Sequence, residues 1–580
     1  MKSSNSKYLA SAVDKLYGRE EDFVVIGLTG RTGSGCSTVA KILCDKNPKH
    51  SLNVGSDDLD NEKRKRRIIG NWITKNWKPF SLIQVRSIIT LLLAENIEDL
   101  KFYSEKELNI SESKTNRMGD VLKGIFSVHT DFKDFAEEIS DATLDSRKVE
   151  LTAPDQKEKA ESAINFYATE LPSLADQIRN ELGESDFVRL YQRVGTNIRL
   201  SGSPFNSTLI NGQFFTLAQK INSVLKIMRR CQKAAGKETF IVIDAIRNPL
   251  EAIFFQDRYA AFFLMAVSAP NEQRRSRLRK LKFSDEEIEK LDKIEYEPHD
   301  LNEPEFFTVQ DIQGCLQHAD LYVSNPDAKS AADQFSELAW QVLKFVSLIR
   351  RPGIVTPSHV ERCMQVAYTA KLNSGCISRQ VGAVVTGPDF SIRSLGWNDV
   401  ALGQVPCNLR SRTDLLTAQD LRAYSEYEVS QDFKEHLTIS SKGYDALTAC
   451  GRHIPFCFKS EYNSLKNERN QVHTRSLHAE ENAFLQAARH HSATLEGGFL
   501  FTTAAPCELC SKKAYQLGIQ RIYYIDPYPG IAVTHILQSG LRRPALELFS
   551  GAIGKAFHRL YSPIVPLKDE LNAVREQGVA

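Results

Sequence analysis

The amino-acid sequence predicts an α/β protein with at least two domains. Short apolar runs, such as FVVIGL (23–28) and FIVID (240–244), alternate with helical segments, and this alternation is typical of mostly parallel sheets. RRPGIVTPS (350–358) contains two prolines and a glycine, as linkers between domains often do. The 580 residues also exceed the length of one ordinary domain. We therefore predict a first domain at 1–349 and a second domain at 350–580.

Composition limits the classes of protein to which this chain can belong. Hydrophobic residues make up 42% and charged residues 25%, with a net charge of +2, which disfavours a protein that coats nucleic acid. No apolar run reaches the roughly 20 residues of a membrane span, and residues 1–18 lack a signal-peptide core. We therefore predict a cytoplasmic protein without a membrane partner. In a reducing compartment the close pair Cys507 and Cys510 favours metal or redox chemistry over a disulfide.

The first domain is predicted to contain a parallel sheet with a long helical insertion. The apolar run at 23–28 is followed by a glycine-rich turn and then by VAKIL, which predicts a strand, a loop and a helix. Residues from about 80 to 235 have mostly helical patterns. Further strands are predicted at FIVID, at FFLMAVSA (262–269) and at LYVSN (321–325).

The glycine-rich turn predicts a phosphate-binding loop. Residues 30–38 fit the P-loop pattern G-x-x-x-x-G-K-[ST], except that Cys36 replaces the lysine. Backbone N–H groups of such a loop cradle phosphate, and Ser37 can reach Mg²⁺, but the missing lysine argues against phosphoryl transfer. A tight turn without a ligand is the alternative. The candidate residues for a regulatory nucleotide with Mg²⁺ are Gly30, Gly33, Gly35, Cys36, Ser37, Thr38 and Asp244.

Other segments of the first domain resemble small-molecule and nucleotide kinases. FIVIDAIRNP places Asp244 at the end of a strand, and VSAPNEQRRSRLRKL resembles an arginine-bearing lid. The resemblance implies that Asp57 and Asp58 form an acidic pair on the substrate side. The run 63–67 (KRKRR) is either a solvated helix face or a contact for RNA or phosphate. The candidate lid residues, some of which are expected to face solvent only, are Arg274, Arg275, Arg277 and Arg279.

The second domain has a different order of predicted elements. A helix (HVERCMQVAYTAKL) precedes two strands (VGAVVTG and SIRSLGW), and a polar, irregular stretch follows at about 400–475. The remainder alternates between helix and strand, in the order HAEENAFLQAARH, FLFTTAA, CELCSKKAYQLG and RIYYID.

A zinc-binding pattern lies in this second domain. His478-Ala479-Glu480 followed by Pro506-Cys507-Glu508-Leu509-Cys510 matches the signature H-x-E…P-C-x-x-C of zinc nucleobase deaminases. Catalytic zinc takes three protein ligands and leaves one position for water, which fits His478, Cys507 and Cys510. Glu480 lies beside the ligands and is predicted to transfer protons. The alternative is a structural zinc ribbon, which usually has four ligands and does not need the glutamate.

The motifs VGAVV, GWN (396–398), HAEENAF and TTAAPCELC resemble the cytidine and deoxycytidylate deaminase family over about 360–530. The resemblance implies a three-layer α/β/α fold around a mixed sheet and hydrolysis of the 4-amino group of cytosine to give uracil. It also implies that Asn398 contacts the sugar and that Ala479 lines the substrate site. Arg379 is implied to reach the nucleotide phosphate, with a surface salt bridge as the alternative.

Further cysteines and a histidine suggest a second, structural zinc. Cys376 and Cys407 lie where some deoxycytidylate deaminases hold such a zinc, and the i, i+3, i+7 spacing of Cys450, His453 and Cys457 could present ligands on one side of a turn or helix. A zinc there would attach the long insert to the domain. Ordinary buried cysteine is the alternative. The candidate ligands are Cys376, Cys407, Cys450, His453 and Cys457.

A degenerate P-loop kinase-like domain fused to a deoxycytidylate-type deaminase resembles the anti-phage dCTP deaminases of bacteria. The resemblance implies deamination of dCTP and dCMP to dUTP and dUMP, which depletes the deoxynucleotide pool during phage infection. It further implies a homo-oligomer that is gated through the first domain. The gating ligand would be a regulatory nucleotide such as dTTP, or an inhibitory RNA or protein partner.

Three alternatives remain open at this point. A deaminase of polynucleotides, acting on cytosine in DNA or adenosine in tRNA, shares the zinc signature, although the balanced charge disfavours it. A bifunctional nucleotide kinase–deaminase is disfavoured by Cys36. A nucleotide-binding regulatory protein with an inert zinc is disfavoured by Glu480.

Overall fold

The computed structural model describes residues 22–48, 60–144, 154–296, 309–327, 335–489, 494–526 and 531–578, so that Asp57 and Asp58 lie outside the described residues. The chain divides into two compact units, 1–356 with 555–580 and 357–554. The predicted domains 1–349 and 350–580 differ from these units because residues 555–580 pack with the first unit. There, the Leu560 carbonyl accepts the Gly353 N–H at 2.8 Å.

The first unit is built on a parallel sheet. Its strands lie in the order β5-β4-β1-β3-β2, and each neighbouring pair is parallel. The apolar runs predicted as strands form β1, β3, β4 and β5, because they are buried on both faces by flanking helices. The strands are β1 (Phe23–Thr29), β2 (Ser81–Gln84), β3 (Thr239–Asp244), β4 (Phe262–Ser268) and β5 (Leu321–Ser324).

Helices flank this sheet, and most of them lie between β2 and β3, as the helical pattern at 80–235 predicts. None of the described helices is long and apolar enough to cross a membrane. The helices are α1 (Cys36–Cys44), α2 (Asp60–Asn76), α3 (Val85–Glu95), α4 (Ile97–Lys106), α5 (Glu112–Leu122), α6 (Ile125–Leu144), α7 (Pro154–Asn165), a π-helix (Phe166–Glu170), α8 (Leu171–Leu182), α9 (Glu184–Ser201), α10 (Thr216–Ala234), α11 (Pro249–Arg258), α12 (Asn271–Lys280), α13 (Asp285–Tyr296), α14 (Ile312–His318) and α15 (Ser336–Arg350).

Strand β2 is the element of the first unit that the sequence pattern does not reveal. Its four residues SLIQ pair with β3, with Ser81 opposite Ile241. A strand this short, at the edge of the sheet, gives too few residues for a recognisable period.

The second unit contains a mixed sheet in the order β12-β11-β10-β6-β7. Strands β10, β11 and β12 are parallel, whereas β6 runs antiparallel to both β10 and β7. Strands β8 and β9 form a separate antiparallel pair. The strands are β6 (Gly382–Thr386), β7 (Ile392–Trp397), β8 (Asp399–Val400), β9 (Ser476–Leu477), β10 (Phe499–Ala504), β11 (Arg521–Asp526), β12 (Ala545–Leu548) and β13 (Gly551–Ala552).

Helices cover both faces of the mixed sheet, so the second unit has the three-layer α/β/α arrangement that the sequence resemblance implies. Ala383 and Val385 of β6 share a buried cluster with Ala483 of α22 (Ala479–Arg489) and Ala514 of α23 (Glu508–Gln516). Helix α16 (His359–Ala370) lies on the opposite face, where a Cβ at Gly382 would stand 2.0 Å from the Ala367 carbonyl. Glycine is therefore required where β6 meets α16.

The long insert at 401–475 has more structure than the predicted irregular stretch. Five short helices enclose a small core that includes Phe433 and Phe456. The buried Arg410 contacts the rings of Tyr424 and Phe456, 4.9 Å from each centroid, and pairs with the buried Glu428. The helices are α17 (Arg412–Leu416), α18 (Glu426–Val429), α19 (Gln431–Ser440), α20 (Asp445–Ala449) and α21 (Phe458–Lys466), and α24 (Gly554–Tyr561) and α25 (Leu567–Gly578) follow the sheet.

Candidate functional site

The zinc-binding pattern converges at the start of two helices in the second unit. His478 follows β9 and directly precedes α22, where its carbonyl accepts the Asn482 N–H at 2.8 Å. Cys507 follows β10 and caps α23, and Cys510 lies in the first turn of that helix. The positive end of the α23 dipole favours the thiolate forms of both cysteines.

The three side chains present one nitrogen and two sulfurs to a common point. The Nδ1 atom of His478 lies 3.3 Å from Cys507 Sγ and 3.5 Å from Cys510 Sγ. Among the described residues, this is the group whose three ligand atoms all lie within 4.8 Å of one another. One imidazole and two thiolates form the donor set of a catalytic zinc site, so the residues fit the predicted metal.

The protonation of the two thiols shows how closely they lie. The Cys510 thiol donates to Cys507, which lowers the pKa of Cys507 to about 3. The same hydrogen bond, together with burial, raises the pKa of Cys510. The Cys507 sulfur in turn raises the pKa of His478.

Glu480 lies beside the cluster and is buried, with 4% of its surface exposed. Burial raises the pKa of its carboxyl group. The hydroxyl group of Thr502 on β10 lies 2.9 Å from Glu480 Oε1 and fixes that oxygen. Sequence reasoning did not identify Thr502, although strand alternation places it on a defined face of β10.

The side chain of Asn398 is hydrogen-bonded to other residues of the chain. Its Oδ1 accepts the Val381 N–H at 2.7 Å and the Ser374 hydroxyl at 2.8 Å. Its amide nitrogen donates to the Arg379 carbonyl. Asn398 therefore holds the segment 374–381 in place, and its contact with a sugar stays a prediction.

Two other predicted substrate-site residues differ in exposure. The Arg379 guanidinium is 35% exposed and pairs with the buried Asp526 at the end of β11. The Ala479 side chain is fully buried, and its carbonyl would lie 2.4 Å from a Cβ at Gly396. Gly396 is thus the residue that lets α22, with Glu480, approach β7, and the GWN motif was the signal for it.

The candidate second metal set is only partly brought together. Burial raises the pKa of Cys407. The Asn408 N–H donates to the Gly375 carbonyl at 3.0 Å and the Ser378 hydroxyl lies 3.7 Å from Cys457 Sγ, so the segments that carry Cys376, Cys407 and Cys457 lie close together. Cys450 and His453 are exposed. Among the described residues, no three ligand atoms of this set lie within 4.8 Å of one another, as those of the His478 cluster do.

The glycine loop (30–38) of the first unit joins β1 to α1 as predicted. Gly33 and Gly35 have φ values of +87° and +113°, and a Cβ at Gly35 would lie 2.3 Å from Asn325 Nδ2. Glycine is therefore required at Gly35, both by backbone conformation and by packing. The Asn325 amide also donates to the Ser34 carbonyl at 2.8 Å, so the loop is tied to the end of β5.

The other candidate residues of this loop meet Asp244 at the end of β3. The Ser37 hydroxyl donates to Asp244 Oδ2 at 2.9 Å, and Ser37 is exposed. Thr38 N–H is bonded within the loop to the Gly35 carbonyl at 3.0 Å. Burial raises the pKa of Cys36 to about 12, with Asp244 adding to the rise. Cys36 is therefore a neutral thiol at physiological pH.

The arginines of the predicted lid lie on α12 and pair with carboxylates. Arg274 is 1% exposed, donates to the Thr32 carbonyl at 3.1 Å and pairs with Asp292 at 2.5 Å. The other lid arginines have these nearest partners: Arg275 with Asp292 at 3.6 Å, Arg277 with Asp327 at 2.6 Å and Arg279 with Asp285 at 2.8 Å.

The basic run 63–67 lies on α2. Arg66 pairs with Glu337 at 3.0 Å and stacks on Trp340 at 5.0 Å, while Lys65 pairs with Glu62 at 2.7 Å. Lys63, Arg64 and Arg67 are exposed.

Residues 357–526 match a family described as the cytidine and deoxycytidylate deaminase zinc-binding region. The match spans the mixed sheet through β11 and includes every residue of the His478 cluster. Sequence relatives support the same assignment. The chain is 32% identical over 166 residues to a deoxycytidylate deaminase of Enterobacteria phage T4, which covers 28% of this chain and 76% of the phage enzyme.

A deoxycytidylate deaminase of Enterobacteria phage T2 is 30% identical over 165 residues, with 28% of this chain and 78% of that enzyme covered. Among solved structures, the dCMP deaminase of cyanophage S-TIM5 in its apo form has 22% sequence identity and a TM-score of 0.20. That match covers 34% of this chain and 100% of the phage chain.

Proposed function

The chain belongs to the deoxycytidylate deaminase family through its second unit, and from this we propose that it hydrolyses the 4-amino group of deoxycytidine nucleotides. The products are the uracil nucleotide and ammonia. The observation that carries the proposal is the convergence of His478, Cys507 and Cys510 beside a buried glutamate. A structural zinc ribbon would not need that glutamate.

A zinc ion is proposed to be held by His478, Cys507 and Cys510. When bound, zinc lowers the pKa of a water molecule towards about 7, which makes hydroxide available at neutral pH. The N-terminus of α23 stabilises the thiolates, and burial of Cys510 excludes water from one side of the cluster.

Glu480 is proposed to move the protons. Its carboxylate takes a proton from the water whose oxygen bonds to C4 and delivers it to the ring nitrogen of cytosine. It then takes the proton of the new C4 hydroxyl and gives it to the 4-amino group, which leaves as ammonia when the C4–N bond breaks. Burial raises the pKa of Glu480 in the direction of neutral pH, and a carboxyl group with such a pKa accepts and releases protons more readily there. Thr502 holds one carboxylate oxygen and so limits the directions in which the other can point.

The substrate contacts follow from the residues around this centre. Asn398 holds the segment 374–381, which contains Arg379, next to β6. Arg379 is proposed to bind the nucleotide phosphate by exchanging Asp526 for the ligand. Its planar, permanently charged guanidinium suits that contact.

The direct test measures uracil-nucleotide production by the purified full chain. The substrates are dCMP, dCTP, CTP and a cytosine-bearing oligonucleotide, with a Glu480→Gln preparation as the blank. Conversion of dCMP or dCTP that is absent from the blank supports the proposal. Activity restricted to the oligonucleotide would replace it with a polynucleotide deaminase.

Use of dCTP and a role in phage defence are proposals that rest on the resemblance of the two-unit arrangement to anti-phage dCTP deaminases. They predict that the dCTP pool of infected cells falls with the wild-type chain and is maintained with Glu480→Gln. A homo-oligomer is proposed on the same ground and is tested by light scattering. Addition of dTTP, or co-purification of RNA or protein with an inactive chain, tests the proposed gating.

A second, structural zinc at Cys376, Cys407 and Cys457 is a separate proposal. It is supported by two contacts between the segments that carry these cysteines: the Asn408 N–H donates to the Gly375 carbonyl at 3.0 Å, and the Ser378 hydroxyl lies 3.7 Å from Cys457 Sγ. Two zinc ions per chain, falling to one in Cys407→Ser, would support it. One zinc per chain in both proteins would exclude it.

Nucleotide binding by the glycine loop is the second candidate function, and the contact between Ser37 and Asp244 favours it. In P-loop proteins a serine or threonine at this position and an acid at the end of a neighbouring strand hold Mg²⁺ together. Ser37 and Asp244 are in contact in the same way, with the hydroxyl 2.9 Å from the carboxylate. Because Cys36 is neutral, we propose binding without phosphoryl transfer. ATP-dependent phosphorylation of a deoxynucleoside or of its monophosphate by the purified chain would contradict that restriction.

A further inference from the structure

The glycine loop lacks the cation that its sequence pattern places at position 36. Cys36 is a neutral thiol, since burial and the Asp244 carboxylate raise its pKa. A polyphosphate in this loop would meet backbone N–H groups but no positive side chain from α1 at that position. Tight binding of such a ligand requires a cation from another part of the first unit.

Arg247 brings a guanidinium to the loop from the end of β3. Its Nη1 and Nη2 atoms both lie 3.3 Å from Thr32 Oγ1. Its positive charge also lowers the pKa of Cys36, against the effect of Asp244, so it lies within electrostatic reach of the position without a lysine. Arginine is permanently charged, and its planar fork suits phosphate oxygens.

The Glu295 carboxylate on α13 accepts hydrogen bonds from both Thr32 and Arg247. Its two oxygens accept the Thr32 backbone N–H at 3.1 and 3.2 Å, and the Thr32 hydroxyl also donates to it. Arg247 Nη1 donates to the same carboxylate at 2.8 Å. The Glu295 side chain is 0% exposed. A buried anion therefore uses a loop N–H and a guanidinium, which are donors that bind phosphate in other proteins.

A second carboxylate, one turn earlier on α13, also pairs with arginines at the loop. Asp292 pairs with Arg31 of the loop at 2.7 Å and with Arg274 of α12 at 2.5 Å. Arg274 also holds the Thr32 carbonyl at 3.1 Å. Two carboxylates on one helix thus pair with four arginines around the loop, since Arg275 also lies 3.6 Å from Asp292.

We propose that Arg247 is the phosphate-binding cation of the glycine loop and that Glu295 is an internal anion which a nucleoside polyphosphate displaces. This inference rests on the proposed nucleotide site and adds the residue that supplies the charge and the group that competes for it. Because ligand and carboxylate need the same donors, the observed affinity is reduced by the free energy of displacing Glu295.

The experiment measures the dissociation constants of Mg²⁺ with inorganic tripolyphosphate, ATP and dTTP on the full chain by titration calorimetry. The tripolyphosphate arm reports the phosphate site, and the nucleotide arms report any contribution of base and sugar. Glu295→Gln is expected to tighten binding in all arms that bind, by about tenfold. Glu289→Gln is the matched control on the same helix, since that side chain is 66% exposed, and it should leave the constants unchanged.

Arg247 is tested in a chain that lacks the Glu295 charge, because removing Arg247 alone would leave a buried, uncompensated carboxylate. Arg247→Gln with Glu295→Gln is expected to bind at least about tenfold more weakly than Glu295→Gln. Adding Cys36→Lys to that double variant moves the cation back to the pattern position and should restore binding. Thermal melting of each variant checks that the first unit is folded.

The outcomes separate this inference from the site on which it rests. If the wild-type chain binds and Glu295→Gln binds equally, or if the double variant binds as tightly as Glu295→Gln, the roles of Glu295 and Arg247 are overturned while the nucleotide site stands. If none of the variants binds any probe, including Glu295→Gln and the Cys36→Lys variant, the nucleotide site is overturned, and this inference with it.

Discussion

The His478 cluster of the second unit and the glycine loop of the first unit both lie where a strand leads into a helix N-terminus, but their charges are arranged differently. In the cluster, the donor atoms point at one another and are ready for a cation. In the glycine loop, Glu295 already satisfies the donors. Two short motifs contain the three candidate ligands and Glu480 of the first site, whereas the second site also depends on residues more than 200 positions away. Contiguous sequence therefore identifies a site well only when the chemistry lies within the motif.

The largest effect is expected from replacing Glu480, the proposed proton-transfer residue, rather than the adjacent Glu481. Glu480→Gln should reduce dCMP deamination by about 10²–10⁴-fold, because proton transfer is lost, while bound zinc stays unchanged. Glu481→Gln is the matched control, since Glu481 pairs with Lys513 on α23. The measurements are turnover and zinc content by mass spectrometry. Equal losses of turnover in both variants would show that Glu480 has no special role.

Metal removal tests whether the cluster is a zinc site. Cys510→Ser should lose about one zinc per chain and all measurable deamination, because a three-ligand catalytic site tolerates the loss of a thiolate poorly. Cys450→Ser is the comparison, since Cys450 is exposed and lies outside the cluster. Metal content that is equal in Cys510→Ser and in the wild type would place the zinc elsewhere.

The packing of the glycine loop gives the next effect. Gly35→Ala should destabilise the first unit by about 1–3 kcal/mol more than Gly236→Ala, measured by urea unfolding. Both positions have positive φ values, but +68° lies in the left-handed region that other residues adopt at a small cost, whereas +113° lies outside it, so backbone strain adds to the cost at Gly35. A Cβ at Gly35 would lie 2.3 Å from Asn325 Nδ2, whereas Gly236 faces open space. Equal costs would mean that the loop moves to accept a side chain.

The smallest effect is expected in the pH dependence of stability, because burial shifts the pKa of titratable groups in both units. In the second unit burial raises the pKa of Glu480, which bears on the rate. In the first unit burial of His129, which is 2.8 Å from the Tyr167 hydroxyl, lowers its pKa from 6.5 to about 4, with Lys220 and Lys133 adding to the effect. The unfolded chain then binds the proton more tightly than the folded chain.

Stability from His129 is therefore fully present above pH 6.5 and is lost as the pH falls towards 4. Between pH 8 and 5.5 the loss should be about 1 kcal/mol in the unfolding free energy of the first unit. His129→Gln should remove this part of the pH dependence while retaining a polar group near Tyr167. A slope that is identical in the two proteins would contradict the assignment.

Much of the fold could be predicted from local patterns. The buried strands β1, β3, β4 and β5 are continuous apolar runs, so their type and place follow from hydrophobicity alone. Strand β2 and the short helices of the insert could not be predicted, because four or five residues carry too weak a period. The insert is ordered instead by its own small core and by the Arg410–Glu428 pair.

The spacing of H-x-E and C-x-x-C at helix starts predicts that His478, Cys507 and Cys510 lie together, because it leaves little freedom in where their side chains point. The tertiary structure alone decided that Thr502 holds Glu480 and that Gly396 admits α22. It also decided that residues 555–580 pack with the first unit and that Arg247 and Glu295 meet at the glycine loop. Such contacts join residues distant in the chain, and no local period or spacing encodes which of them will meet.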